Sequence, residues 1–156
     1  MTKTIANTAM VAVVYVILTL GFGFMSYGPV QFRIAEILTL MVFYNKKHFT
    51  GLVLGCAIAN AFSPLGFVDV AIGTFATVLA LLYIMAIRKY LGDSLKSLVI
   101  ASFGPTVFNA ILVGLELTIL FKEMPFLLNA TYVAIGELVV VSILGVVIIP
   151  KIKKFI

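Results

Sequence analysis

Long apolar runs separated by short polar breaks dominate the chain. Six such segments cover roughly residues 5–25, 30–44, 49–63, 67–88, 97–121 and 127–149. A continuous apolar run of about 20 residues crosses ~30 Å of hydrocarbon as a helix, whereas a membrane-spanning strand alternates apolar and polar residues. The pattern therefore predicts an all-α integral membrane protein with six transmembrane helices. The second and third segments are short for full spans, which favours tilted, broken or partly re-entrant helices.

The breaks carry turn residues, as in Tyr27-Gly28-Pro29, Asn45-Lys46-Lys47 and Gly92-Asp93-Ser94. The first segment is long enough to span and lacks a clear cleavage site, so it is interpreted as a transmembrane helix and not as a signal peptide. Hydrophobic residues make up 63% of the chain and charged residues 11%, against roughly 25% charged in soluble domains. One membrane domain over residues 1–156 is predicted.

Positive charge is unevenly distributed over the two sides of this topology. With the N-terminus inside, nine of the eleven lysines and arginines fall on the inner side, leaving Lys122 and Arg33 on or near the outer side. The nine are Lys3, Lys46, Lys47, Arg88, Lys89, Lys96, Lys151, Lys153 and Lys154. Because cytoplasmic loops are enriched in these residues, both termini are predicted to be cytoplasmic. The net charge of +5 follows from this bias and requires no nucleic-acid partner.

Four of the six acidic residues fall inside apolar segments, toward the predicted outer side. The four are Glu36, Asp69, Glu116 and Glu137. Asp93 and Glu123 lie in breaks and are expected to be solvated, while Asn60 and Asn109 add amides to the buried set. An ionisable group in hydrocarbon is costly and therefore faces a partner or water. An excess of acceptors predicts a site for a polar or cationic ligand, whose donors replace the lost water.

Arg33 and Glu36 are three residues apart, which places them on one helix face where they can pair. This pair is either purely structural, fixing the second helix, or part of the rim of the ligand site. Asp69 has a similar alternative as a cap of the fourth helix, because acids favour a helix N-terminus. The alternative from a different functional class is a membrane scaffold protein whose acidic residues pair between helices.

Other chemistry finds little support in the sequence. The single His48 is expected to be a solvated loop residue and the single Cys56 a small packing residue, so no metal site or cofactor is predicted. Ser26, Ser63 and Ser102 lack a histidine on their side of the membrane, so no acid–base–nucleophile set can be assembled, which argues against an enzyme. The chain contains no GxxxxGK[ST] loop, so uphill transport driven by ATP requires another subunit.

Four stretches, QFRIAEILTL, GLVLGCAIANAFSPLGFVDVAIGTFATVLALL, FNAILVGLELTILF and NATYVAIGELVVVSILG, resemble the QueT family over nearly the whole chain. That family comprises substrate-binding S-components of energy-coupling-factor (ECF) transporters, assigned to queuosine precursors. The resemblance implies a six-helix bundle in the bacterial cell membrane with an outward-facing site. It also implies partners: a 7-deazaguanine substrate, a transmembrane coupling protein and two ATPase subunits.

The resemblance also suggests residue roles. Carboxylates accept from the donor edge of the base, amides contact its carbonyl and an aromatic ring stacks on it. On this basis Glu116, Glu137 and Asp69 are the expected acceptors, Asn60, Asn109 and Gln31 the amide contacts, and Phe67 or Tyr132 the stacking residue. Arg33 and Glu36 are expected at the rim. Another nitrogen heterocycle, of thiamine or pyridoxine type, is the alternative ligand.

Many S-components dock their coupling protein through an Ala-x-x-x-Ala stripe on the first helix. Here the corresponding positions are Thr4, Thr8 and Ala12, which remain small residues. Small residues at this spacing let helices approach closely, so internal packing is the other interpretation.

Overall fold

A computed structural model describes residues 2–28 and 30–156, which form helices joined by short connections, with no strand among these residues. Pro29, in the first predicted break, and the side chain of Lys3, one of the nine cations, lie outside what is described. The principal helices are α1 (Thr2–Gly21), α2 (Ile34–Tyr44), α3 (Phe49–Asn60), α4 (Phe67–Leu91), α5 (Leu95–Phe121) and α6 (Phe126–Ile152). Short helical turns cover Gly23–Ser26, Lys46–His48 and Lys153–Phe155.

Four of these helices, α1, α4, α5 and α6, are long and apolar enough to cross a membrane. Their outward faces carry large apolar side chains such as Ile17, Phe75 and Ile119, each more than half exposed. An apolar exterior around hydrogen-bonded helices is the arrangement that lipid requires. The chain is therefore a multi-pass membrane protein.

Helices α2 and α3 are shorter than the sequence pattern suggests. With 12 residues, α3 is about 18 Å long at 1.5 Å per residue, well short of ~30 Å of hydrocarbon. Asn45 ends α2 by adopting an extended backbone, and its side chain accepts a hydrogen bond from the Lys47 amide. Gly66, with φ of 62°, forms part of the turn between α3 and α4. Whether α2 and α3 complete the six crossings stays a prediction.

Close contact between α1 and α3 organises one side of the core. A Cβ atom on Gly55 would lie 2.8 Å from the Cβ of Tyr15 and 3.0 Å from the carbonyl oxygen of Ala12. At Gly51 it would lie 2.8 Å from the carbonyl oxygen of Thr8. The glycines therefore allow the two backbones to approach, as small residues do in membrane helix pairs.

The cation-rich end of the bundle is held by polar contacts. Asp93, between α4 and α5, pairs with Lys153 at 2.9 Å and with Arg88 at 3.2 Å, and the hydrogen bond from Lys153 holds the pKa of its carboxyl below the ordinary value. Asn45 donates to the carbonyl oxygen of Ile156 at 2.9 Å. These contacts place the α2–α3 and α4–α5 connections at the same end as the last residues of the chain.

The prediction of a solvated His48 is wrong. Its side chain is 3% exposed, and Nε2 lies 3.2 Å from the carbonyl oxygen of Ile156. The histidine is buried because the end of the chain folds back over the α2–α3 connection, which the local sequence does not reveal.

Replacing Gly55 with alanine should separate α1 from α3, because the added methyl group meets backbone atoms that cannot rotate away. We expect G55A to destabilise the purified protein by about 1–3 kcal/mol, as other overpacked cores do. Gly21 is the matched control, since nothing lies within 4 Å of a Cβ atom there. Thermal unfolding in detergent should show a lower midpoint for G55A than for G21A. Equal midpoints would contradict the close packing described above.

Candidate functional site: a buried carboxylate cluster

Arg33 forms a buried ion pair with Asp69. Nη2 of Arg33 lies 3.2 Å from Oδ2 and 3.4 Å from Oδ1 of Asp69, and the two residues are 4% and 0% exposed. Asp69 sits in the first turn of α4, where the helix dipole favours a negative charge. The ring of Tyr27 lies 5.8 Å from the guanidinium carbon. The connection before α2 is thereby tied to the start of α4.

The predicted pairing of Arg33 with Glu36 is wrong. Arg33 precedes α2 and has an extended backbone, with φ of −81° and ψ of 91°. Helical spacing therefore does not apply between the two residues. The alternative role of Asp69 at the N-terminus of its helix is seen alongside the ion pair: Asp69 lies in the first turn of α4, although the N-cap position itself is occupied by Gly66 and the Asp69 carboxylate binds Arg33.

Glu36 is bound instead by a tyrosine from α1. The Tyr15 hydroxyl donates to Oε1 of Glu36, and both residues are fully buried. Oε2 of Glu36 has no hydrogen-bond partner. Sequence reasoning missed Tyr15, although a phenol in the middle of an apolar helix was an available signal, since tyrosines in membrane proteins concentrate at the interfaces.

Asn109 on α5 and Glu137 on α6 form a second polar contact. Nδ2 of Asn109 donates to Oε1 of Glu137 at 2.8 Å, and both residues are almost fully buried. Oε2 of Glu137 is left without a partner. Directly after Glu137, α6 changes to a π-helix over Leu138–Gly145, and such wider turns are frequent at functional sites.

Asn60, at the end of α3, binds across to α4. Its Nδ2 donates to the backbone carbonyl of Asp69 at 3.0 Å and approaches Cys56 Sγ at 3.4 Å. Gly73 makes room for it, because a Cβ atom there would lie 2.5 Å from the same nitrogen. Oδ1 of Asn60 has no partner. Cys56 is fully buried, as the sequence predicts for a packing residue.

Glu116 on α5 has the fewest polar contacts of the four buried acidic residues. It is 1% exposed, and within the described part of the chain neither of its carboxylate oxygens has a hydrogen-bond partner. It interacts electrostatically with Asp69 and Arg33, while Glu137 interacts with Glu36 and Arg33. We call Glu36, Asp69, Glu116 and Glu137, together with Arg33, the carboxylate cluster. It assembles four acids from four helices around one guanidinium.

Comparison with known proteins identifies the family. The model of the QueT transporter family matches residues 5–154. The chain belongs to the QueT transporter family. It is also 36% identical, over 161 residues, to the queuosine precursor transporter QueT of Lactococcus lactis subsp. cremoris (strain MG1363), an alignment covering 98% of this chain and 94% of the relative. No solved structure shows a significant match.

Family membership confirms the resemblance found in the sequence, whereas the substrate contacts remain predictions. Of the residues expected at the site of this QueT-family chain, the structure brings seven together. They are Arg33, Glu36, Asn60, Asp69, Asn109, Glu116 and Glu137. Phe67 is 90% exposed at the start of α4, outside the enclosed cluster, and Tyr132 is half-buried on α6.

Gln31 lies in the connection that covers this region. It is 4% exposed and has a left-handed backbone with φ of 46°. The connection approaches α6 so closely that a Cβ atom on Gly136 would lie 2.1 Å from the carbonyl oxygen of Val30 and 2.9 Å from that of Gln31. Position 136 must therefore be glycine, because a side chain there would collide with the backbone of the connection before α2.

Two small cavities adjoin the cluster region without reaching it. Volumes of about 220 Å³ and about 50 Å³ share Tyr27, Leu117 and Phe121 as lining residues. No carboxylate of the cluster lines either cavity. The acids are thus enclosed in this conformation, each 2% exposed or less.

The residues predicted to dock a coupling partner face different surroundings. Thr4 is exposed and Thr8 half-buried, whereas Ala12 is 7% exposed and its backbone packs on Gly55 of α3. The expectation that all three line one accessible stripe is therefore corrected for Ala12, because that face of α1 makes the internal contact with α3.

Replacing Arg33 with methionine should strand the Asp69 carboxylate in the protein interior. Removing one partner of a buried pair costs about 3–5 kcal/mol. We expect Asp69→Asn in the Arg33→Met background to recover part of that loss, because the uncompensated charge is gone. The matched control is Arg88→Met, whose half-exposed pair with Asp93 should contribute about 1 kcal/mol or less. Unfolding midpoints of the variants in detergent measure the difference, and a double variant less stable than Arg33→Met alone would argue against the pairing.

Proposed function

We propose that this chain is the membrane-embedded substrate-binding subunit of an ECF-type importer and that it captures a queuosine precursor with a 7-deazaguanine base. The observation that supports this most is the carboxylate cluster, whose acceptors exceed the available donors, in a chain of the QueT transporter family. The relative from Lactococcus lactis is described as a queuosine precursor transporter. The role is capture and transport of a substrate.

The chemistry of a 7-deazaguanine suits the free acceptors. Its guanine-like edge presents a ring N–H and an exocyclic amine, two donors that one carboxylate can accept together. Glu116 has both oxygens without partners, so we assign it to this edge. Oε2 of Glu137, Oε2 of Glu36 and Oδ1 of Asn60 are further acceptors for the remaining donors. The Gln31 amide, in the covering connection, is the candidate donor to the base carbonyl.

The charge of the cluster favours a cationic substrate. One guanidinium, paired with Asp69, is the only cation that interacts electrostatically with the other three acids among the described residues, and a buried acid without a counterion is strongly disfavoured in its ionised form. A precursor with a protonated aminomethyl group brings one positive charge to this site. A nitrile-bearing precursor brings none. We therefore assign the aminomethyl form as the better ligand.

The proposed topology has six crossings with both termini in the cytoplasm. The argument rests on the nine cations of the inner side and on the contacts that join Asp93, Lys153 and Asn45 at one end of the bundle. In that orientation the cluster lies in the half of the protein nearer the outside. A substrate arriving from outside reaches it when Tyr27 and residues 30–33, which make the contacts of the covering connection, move away.

Three contacts hold that covering connection in place. The Tyr27 hydroxyl donates to the carbonyl oxygen of Ala59 at 2.7 Å, Arg33 pairs with Asp69, and the backbone at Val30 packs on Gly136. We propose that these contacts open and close as a unit when the substrate enters, which excludes water from the bound base.

Energy for uptake comes from other subunits in this proposal, because the chain has no phosphate-binding loop. A transmembrane coupling protein and two ATPases fulfil that need. Of the four spanning helices, α1 has the smallest buried share, which makes its outward face the candidate docking surface. Thr4 remains a candidate on it, while Thr8, half-buried with its backbone against Gly51, and Ala12 lie on the side of α1 that packs on α3.

Replacing Glu116 with glutamine should weaken binding of the aminomethyl 7-deazaguanine at least about tenfold, because one of two accepting oxygens becomes a donor and the negative charge is lost. The nitrile analogue should lose less affinity. Glu123→Gln, in the exposed α5–α6 connection, is the matched control and should leave both affinities unchanged. Isothermal titration of the purified protein provides the measurement.

The same titration separates the alternatives. Guanine, thiamine and pyridoxine belong on the ligand panel. Saturable binding of thiamine or pyridoxine, with no binding of deazaguanines, would show that the substrate is a heterocycle of that type and not a 7-deazaguanine. Failure of every compound to bind a folded protein would favour the scaffold interpretation.

A further inference from the structure

A second site lies at the opposite, cation-rich end of the bundle. A groove of about 620 Å³ runs between α2 and α4 and is open to the exterior. Three cations, Lys46, Arg88 and Lys89, line it, and no acidic residue does. We propose that this groove binds the phosphate-bearing headgroup of an anionic membrane lipid.

The charge around the groove fits a phosphodiester. Lys46 and Lys89 are exposed, and no carboxylate among the residues that the structure describes pairs with either. Arg88 shares Asp93 with Lys153, so one carboxylate serves two cations at this rim. The local balance is therefore strongly positive. Lysines and arginines clustered where transmembrane helices meet the membrane surface attract anionic headgroups, each contributing to the binding.

The apolar wall distinguishes a lipid from a soluble anion. Half-buried Tyr44 and Met85 line the same groove as the cations and form its accessible apolar wall, whereas Phe43 is 1% exposed and lies beneath it. The Arg88 guanidinium lies 5.4 Å from the centre of the Phe43 ring, which places this cation against the apolar floor of the groove. A free phosphate makes no use of such a wall, whereas the first methylenes of an acyl chain bury against it. A lipid supplies both a charged headgroup for the cations and an apolar chain for the wall of the groove.

The test compares two lipids on the whole purified protein. Wild type, reconstituted in detergent with phosphatidylglycerol or with phosphatidylcholine, should retain phosphatidylglycerol preferentially when bound lipid is counted by native mass spectrometry. The double variant Lys46→Gln/Lys89→Gln should bind phosphatidylglycerol about tenfold more weakly, since two cationic contacts are lost. Lys96→Gln/Lys122→Gln is the matched control: it removes the same charge from exposed positions outside the groove and should behave as wild type.

Each other outcome overturns the proposal. Equal retention of the two lipids, or equal phosphatidylglycerol binding by the groove variant and the control, shows that the groove does not select an anionic headgroup. Displacement of the lipid by millimolar inorganic phosphate identifies a soluble-anion site. Loss of assembly with coupling subunits, at unchanged lipid binding, identifies a protein-docking surface. Unchanged unfolding midpoints confirm that the variants are folded, and substrate binding at the carboxylate cluster is a separate readout.

Discussion

A single guanidinium among four buried carboxyl groups is the constraint on which the rest of this structure depends. Bringing Arg33 and Asp69 out of water is costly, and their contact at 3.2 Å offsets that cost only because both are enclosed together. The other acids receive partial compensation, from the Tyr15 hydroxyl for Glu36 and from the Asn109 amide for Glu137. Glu116 receives no hydrogen bond. The protein thus compensates most of the cluster with internal contacts and leaves Glu116 the least compensated member.

The short helices make this arrangement possible. Because α2 begins only at Ile34 and α3 ends at Asn60, irregular backbone lies inside the bundle at the level of the acids. Such backbone is tolerated in a membrane protein where other helices enclose it. Glycines at the contacts, Gly73 beside Asn60 and Gly136 beneath Val30, allow the polar groups and the covering connection to come close. Packing and the site therefore share the same residues.

The sequence identified the members of the cluster better than their partners. Acids inside apolar segments are costly, so the convergence of Glu36, Glu116 and Glu137 followed from composition and topology. The pairing of Arg33 did not, because it depends on an extended backbone that a helical interpretation of residues 30–44 hides. Tyr15 was missed although its phenol, in the middle of an apolar helix, was a usable signal. Burial of His48 depends on a contact with Ile156 that is 108 residues distant in the chain, and no local pattern encodes it.

Infrared difference spectroscopy of substrate binding tests the central claim most directly, because it reports on carboxyl groups themselves. Binding of the aminomethyl 7-deazaguanine should change the carboxyl bands of the wild type and of Glu123→Gln. The component that belongs to Glu116 should be absent from Glu116→Gln. Saturable binding by the wild type with no change in any carboxyl band would contradict the account.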